Sequence, residues 1–427
     1  VGVVSVRTSS PAAAGRRRRA GSRRQRPARD PLPPGAWQRL AACTAAAALL
    51  QLDGTLITVA LPSVARSLHV SSGSTAIVLS AYFLAYALTL LPGGSLVDRY
   101  DVRRLALLGL ALFAAGAAAG AVVSSMSALV ATRVLQGIGA GLVSPAALAG
   151  AVSGFPPERR GGALGIWGAS AGVSNLLGPV MGGVLTVAFG WRADWWALVP
   201  LALLAAAAII RLVPPTVHGE EAGHPALNGT VLVASAIAAL TFAVMIGCFY
   251  LAEQYLQRTA GFSALGASAV LVVVALLVGA AAPLAGRLVD QRGERAPAAA
   301  GFLGAGLGLL VLGIPGVPLH SPLTILPLIP VGLGLGMLFV PTSRAALNAS
   351  PQASHGRTSA LLSVGRLLGA GVGAGLAGVA LAGGVTAATV HTALLVGCAA
   401  CLVLGLPAAV RLGARPAGAA AEIVPES

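Results

Sequence analysis

The side chains with chemical potential in this sequence are the few charges set inside long apolar runs. Asp53 lies in LDGTLITVALP, residues 52 to 62, and of thirteen acidic residues it alone sits deep in such a run. A charged Asp at the centre of a membrane span costs about 2.5–3.5 kcal/mol on insertion scales, so it must face a cavity or a partner. Burial favours the neutral acid, and a carboxyl balanced between its two forms takes a proton from one side and releases it to the other. Arg133, Glu253 and Arg366 are the other charges within or near the ends of apolar runs. Arg366, about nine residues into its run, is expected to face a central cavity, as a site for an anionic group or as the neutraliser of an acid; the sequence leaves both open. Glu253, about three residues from the end of its run, reads equally as an exposed residue or as a contact for a cation or a proton. Gln136 and Gln257, on the runs that carry Arg133 and Glu253, complete the set of candidate cavity residues.

A second kind of chemistry lies in the segment PGGSLVDRYDVRR, residues 92 to 104. Its glycine pair allows two helix ends to approach closely, and Asp98, Arg99 and Arg103 fall at the water boundary. These charges either anchor the chain or act as a latch, pairing in one conformation and releasing in another. An echo, GRLVDQRGER, begins 192 residues after Gly94 at Gly286 and repeats the acid and a terminal Arg; Asp290 and Arg292 are the corresponding latch candidates. LLGPVMGG from Leu176 and LLGAGVGA from Leu367 have nearly the same offset, so two related halves are predicted. Cys398-x-x-Cys401 has no His or acid beside it, and no metal site is expected. Neither a phosphate-binding Gly-rich loop nor a His-Glu-x-x-His motif occurs. ATP-driven chemistry is unsupported, and a proton is the only coupling species expected.

The elements that must position these residues follow from composition. Hydrophobic residues make up 56% of the 427 and charged residues only 10%, with a mean hydropathy of +0.85. Soluble domains carry roughly 25% charged residues, so an all-α membrane protein is predicted. About 20 apolar residues cross a bilayer, and twelve spans can be placed: 38–62, 74–95, 104–124, 127–150, 161–187, 194–213, 229–256, 264–286, 297–315, 322–347, 358–382 and 387–411. The domain plan is an Arg-rich tail expected to be disordered (1–37), a six-helix bundle (38–213), a linker (214–228), a second six-helix bundle (229–411) and a short tail (412–427). The formal net charge of +15 could suggest nucleic acid, but the arginines sort by side instead. Alternating the loops puts all but Arg66, Arg192 and Arg258 of the loop and tail arginines on one side, which predicts both termini in the cytoplasm. The basic start followed by an apolar run imitates a secretory signal, but its length favours an uncleaved first helix. Trp191, Trp195 and Trp196, beside a predicted outer loop, are read as part of an interfacial aromatic belt.

Several of these segments resemble the major facilitator superfamily (MFS). The 92–104 loop is similar to its signature loop, and LDGTLITVALP looks like the first-helix motif of its drug:proton antiporters. ATRVLQGIGAG, residues 131 to 141, resembles its Arg-Gln-Gly motif, and GASAGVSNLLGPVMGG, residues 168 to 183, the Gly-Pro motif that marks antiporters. Residues 251–268 and 283–293 are similar to the start of the second half in the EmrB/QacA-type group, although that group has fourteen helices and this chain has room for twelve. The resemblance implies that the first and fourth helices adjoin, which would let Arg133 partner Asp53. It implies a bend in the fifth helix through Gly172, Gly178, Pro179, Gly182 and Gly183, associated with antiport. Asp101 and Val102 replace the family's usual Gly and Arg, Asp101 being expected to tolerate a left-handed backbone there. The implied function is proton-coupled export of small hydrophobic or cationic compounds by a monomer in the bacterial inner membrane, with substrate, protons and lipids as partners and no nucleic acid. Two alternatives stand beside it: uptake or exchange of a metabolite or sugar, and a membrane sensor whose Arg-rich tail binds nucleic acid or lipid.

Overall fold

The computed structural model describes residues 2, 32–97, 99–156, 160–215, 228–319, 321–350 and 355–412. The Arg-rich tail from residue 3 to residue 31, Asp98, the linker stretch 216–227 and residues 413–427 lie outside the described residues. Within them the regular structure is helical. The first six helices are α1 (Ala36–Ser67), α2 (Ser72–Val97), α3 (Val102–Val122), α4 (Met126–Val152), α5 (Arg160–Phe189) and α6 (Arg192–Leu212). The second set is α7 (Gly229–Arg258), α8 (Ala264–Arg292), α9 (Arg295–Gly313), α10 (Ile325–Gly336) with α11 (Phe339–Asn348), α12 (His355–Ala380), and α13 (Ala387–Ala399) with α14 (Leu406–Arg411). Eleven helical segments among the described residues are long and apolar enough to cross a membrane, α10 with α11 and α13 with α14 each counting as one. The 30-residue α5, with its apolar stretch Val173–Phe189, fills the twelfth position. The expected all-α membrane architecture is therefore present.

Polar side chains set where several helices begin. Asp101, Ser125, Asn228 and Ser263 accept bonds from backbone N–H groups in the first turns of α3, α4, α7 and α8, satisfying donors that the helix leaves unpaired. Asp101 thus works as a helix cap at φ −55°, not in the left-handed conformation expected of it. Two spans are interrupted for identifiable reasons. Pro341 cannot donate to the carbonyl of Met337, and the chain breaks between α10 and α11 at Met337 and Leu338; Pro407 follows the π-helical turn Ala400–Gly405 that joins α13 to α14.

The helices pair in two corresponding sets. α1 packs on α5 as α7 packs on α12; α2 on α4 as α8 on α10; α3 on α6 as α9 on α13. Across the two sets α2 packs on α12 and α8 on α5, which is the same exchange made twice. This agrees with the 192-residue echo in the sequence and places a two-fold seam between the sets.

Polar contacts across that seam gather at the end of the molecule where α1 joins α2. Thr75 and Tyr250 share a hydroxyl bond of 2.9 Å, Gln254 donates to Thr75 at 3.1 Å, and Gln257 donates to the carbonyl of Val59 at 2.9 Å. Tyr250 and Arg258 also donate to the carbonyl and hydroxyl of Ser72. Slightly deeper, Ser80 donates to the carbonyl of Gly371 at 2.8 Å, and Gly73 and Gly378 bring α2 and α12 into backbone contact. At the opposite end, the bonds from Asn228 to the carbonyl of Ala349 and from Arg295 to that of Leu412 stay within one set. The two sets are closed on one another at the α1–α2 end.

Trp195 and Trp191 correct the belt reading. Both are buried and meet edge to face with centroids 5.4 Å apart; Trp195 occupies the space beside Gly120 of α3, and only Trp196 is exposed. Gly93 and Gly94, expected in a loop, lie within the last turns of α2, and the close approach falls to Gly93, against the carbonyl of Gly141, while Gly94 borders open space. A Gly93→Val substitution is expected to destabilise the fold by about 1–3 kcal/mol through overpacking, and Gly94→Val to leave it unchanged; thermal unfolding of the purified variants, followed by size-exclusion chromatography, checks the contrast.

Candidate functional site

Asp53 and Arg133 meet at the centre of the first six helices, each with 0% side-chain exposure. Nη1 of Arg133 donates to the two carboxylate oxygens of Asp53 at 2.8 and 2.9 Å. The same nitrogen donates to Oε1 of Gln136 at 2.9 Å, one turn further along α4. Nε donates to the Val78 carbonyl at 3.4 Å, and the guanidinium carbon stands 4.3 Å from the ring centroid of Tyr82. The Tyr82 hydroxyl in turn donates to the Leu50 carbonyl at 2.9 Å, holding the ring in place.

This is not the two-nitrogen fork that makes Arg–carboxylate pairs strongest. One nitrogen serves three acceptors, and Nη2 has no hydrogen bond among the described residues. The chemical consequence is a competition. Protonation of Asp53 removes the charge attraction, and Arg133 still keeps Gln136, the Tyr82 ring and the Val78 carbonyl as partners.

Close packing of α1 makes this site possible. Gly54 accommodates the Phe83 ring of α2, while Gly178 and Gly182 of α5 leave room for Thr55 and for the backbone of Leu56. Side chains at those two α5 positions would drive α5 away from the turn that follows Asp53. Pro179 is buried beside them, Gly172 lies earlier on α5, and Gly183 faces Leu265 and Ser268 of α8 across the seam.

The remaining candidates separate into three places. Glu253 is completely buried, and α7 continues past it to Arg258. Its Oε2 accepts from Gln257 at 2.7 Å, and that same amide bonds to α1; both belong to the closed seam. Arg366 lies apart, on α12 beside Phe242 and Phe339. The latch residues of the second half sit at the end of α8: Asp290 pairs with Arg344 of α11, Arg344 reaches Glu294 at 3.7 Å, and Arg292 is the exposed last residue of the helix. Gly286 is partly exposed with open space around it. In the first half Arg99 is exposed in the turn after α2 and Arg103 is half-buried at the start of α3.

Two features were not anticipated, one buried and one exposed. Asp194, fully buried in the first turn of α6, accepts from Thr186 at 2.6 Å, so Asp53 is not alone among the acids in being enclosed. The signal was present: acids favour the first turn of a helix, where unpaired N–H groups point. Arg344 as the partner of Asp290 had no such signal, being 54 residues away in sequence.

Residues 43–374 and 237–423 match the Major Facilitator Superfamily. The chain belongs to that superfamily. The puromycin resistance protein pur8 of Streptomyces alboniger is 32% identical over 80% of this chain and 68% of its own length. Multidrug resistance protein Stp of Mycobacterium tuberculosis is 27% identical over 78% of this chain and 74% of its own. The riboflavin transporter RibZ of Clostridioides difficile is 25% identical over 75% and 83%. The chain spans only 31% of another relative, the uncharacterized MFS-type transporter Rv1250 of Mycobacterium tuberculosis, at 36% identity. Among solved structures, a bacterial homologue of the human lysosomal transporter Spinster, inward-facing and unoccupied, superposes with a TM-score of 0.66 at 18% identity, covering 89% of this chain and 96% of that one. The fold is thus the MFS fold, and the protein is a multi-pass membrane transporter of that superfamily.

Removing one member of the buried pair strands the other. Asp53→Leu is expected to destabilise the protein by about 3–5 kcal/mol, whereas the double variant Asp53→Leu/Arg133→Met should recover most of that loss; a thermal-melting double-mutant cycle measures the difference.

Proposed function

We propose that the protein is a proton-coupled antiporter that exports small hydrophobic compounds by alternating access, as a monomer in a bacterial inner membrane with both termini in the cytoplasm. The buried Asp53–Arg133–Gln136 cluster is the observation that carries this reading. An acid in a span, held by one guanidinium nitrogen with a second acceptor in reach, can exchange its partner for a proton. Drug-resistance names among the relatives favour export of toxic compounds. The loop arginines favour the orientation in which the α1–α2 end faces outward, so the closed seam corresponds to a transporter open to the cytoplasm.

Each inward-moving proton charge contributes about 2.3 kcal/mol per 100 mV of membrane potential. In the proposed cycle, Asp53 takes a proton from outside when the outer seam is open and gives it up on the inner side. Recovery of the Arg133 contact marks the deprotonated state. The glycines of α5 let α1 shift against α5 as this contact is made and broken, and the Asp290–Arg344 pair on the cytoplasmic rim is one of the contacts that changes with state. The similarity to a riboflavin transporter favours a second reading, transport of a metabolite, and direction and cargo distinguish the two.

In everted vesicles, an imposed proton gradient is expected to drive accumulation of a compound to which the protein confers resistance. The Asp53→Asn variant should lose that accumulation and the resistance together. Equal protection by both forms against every compound in a susceptibility panel would remove Asp53 from the mechanism.

A further inference from the structure

Among the described residues three ion pairs form, and none of them involves Arg366. Its Nη2 donates to the hydroxyl of Ser343 at 3.0 Å, and its buried Nε donates to nothing. The sequence left two uses for this Arg: to neutralise an acid or to bind an anionic group. With no acid in ion-pair range among the described residues, the first use has no partner there.

The surroundings are specific. The guanidinium lies 6.0 Å from the ring centroid of Phe242 and 5.7 Å from that of Phe339, and those two rings are tilted against each other 5.6 Å apart. Together with Ala238, Thr241, Leu338 and Thr342 they line a small depression with room for about one water beyond its open side. Both threonine hydroxyls are turned back onto carbonyls of their own helices, at Ile237 and Leu338. The pocket therefore offers methyl groups and aromatic rings, with Arg366 as its cationic donor. Phe242, Phe339 and Arg366 are each partly exposed, so the pocket is open on one side.

Its depth fits loading from the unsealed end. Phe242 precedes Arg258 by 16 residues, roughly 24 Å along α7 from the seam where the two halves close. The pocket thus lies well away from the closed seam, toward the opposite end of α7. A planar guanidinium matches a carboxylate or similar oxyanion in shape as well as charge, and aromatic faces at the same site suit a flat ring.

We propose that Arg366, with Phe242 and Phe339, is the cargo-recognition site of this transporter and selects compounds that join an aromatic ring to a carboxylate or equivalent anionic group. The proposal rests on the exporter reading for the word cargo, and the test below needs neither a proton gradient nor transport. The Asp53–Arg133 pair is internally neutral, so the two sites divide the labour: protons on α1 and α4, anionic cargo on α7, α11 and α12.

The test is equilibrium binding of three probes to the detergent-purified full chain by isothermal titration calorimetry: naphthalene-2-carboxylate, naphthalene-2-carboxamide and 2-naphthylmethylammonium. The carboxylate should bind about tenfold or more tightly than the other two, as charge-assisted pairing implies. Arg366→Gln should abolish that preference while retaining carboxamide binding, which also reports that the variant is folded. Phe339→Leu should weaken all three probes and keep the preference, a second readout should Arg366→Gln fail to fold. Equal affinities in the wild-type protein, a preference for the ammonium probe, no detectable carboxylate binding, or a preference that survives Arg366→Gln would each overturn the proposal. Loss of proton-driven transport with the preference intact would count against the antiporter reading alone.

Discussion

Asp53 and Arg133 neutralise each other where neither charge could be kept cheaply alone. Each ion loses its water on burial, and only short contacts with good partners offset that cost. The packing of the first six helices follows from this requirement. α1 and α4 must approach until Nη1 lies 2.8 Å from the carboxylate, α2 must bring the Tyr82 ring and the Val78 carbonyl to the guanidinium, and α5 must press on α1 just beyond the acid. Small residues make these approaches possible, because association inside a membrane relies on packing rather than on expulsion of water.

The same economy of side chains governs the seam between the halves. α2 meets α12 through Gly73 and Gly378, and hydroxyl and amide groups of α7 bond to α1 and α2 across the interface. These are neutral, single hydrogen bonds of modest net strength, on the order of 1 kcal/mol each. A seam of this kind closes firmly as a set and can still open as a set, whereas a row of buried ion pairs would resist separation. Two charged groups are exceptions within it: Arg258, which donates to the Ser72 hydroxyl, and Glu253, a completely buried acid whose partner is the Gln257 amide.

Much of this organisation is legible in the amino-acid sequence, and the boundary of legibility is physical. Apolar length, loop punctuation and charge place most helix ends closely: the observed α7, Gly229–Arg258, differs from the expected 229–256 only at its end, whereas α8 runs to Arg292, past the expected 286. Asp53 stands out because a charge in a span demands explanation. The burial of Glu253 is invisible locally, since it sits in a seam where its neighbour Gln257 bonds to Val59 of the other half. The choice of Gly93 over Gly94 depends on helical phase and on Gly141, and Trp195 reads as interfacial until Gly120 is seen beside it. Arg366 is legible as an unusual charge, but only the three-dimensional arrangement separates the neutraliser from the binder.

The central claim is that Asp53 gains and loses a proton while its contact with Arg133 breaks and forms. Infrared difference spectroscopy of the reconstituted protein during a pH titration reads this directly, through the C=O stretch of a protonated carboxyl group. The account predicts a carboxyl band that grows on acidification in the wild-type protein and is missing in Asp53→Asn, with a matching change in guanidinium bands that is missing in Arg133→Lys. Identical difference spectra for the wild-type and Asp53→Asn proteins would contradict it.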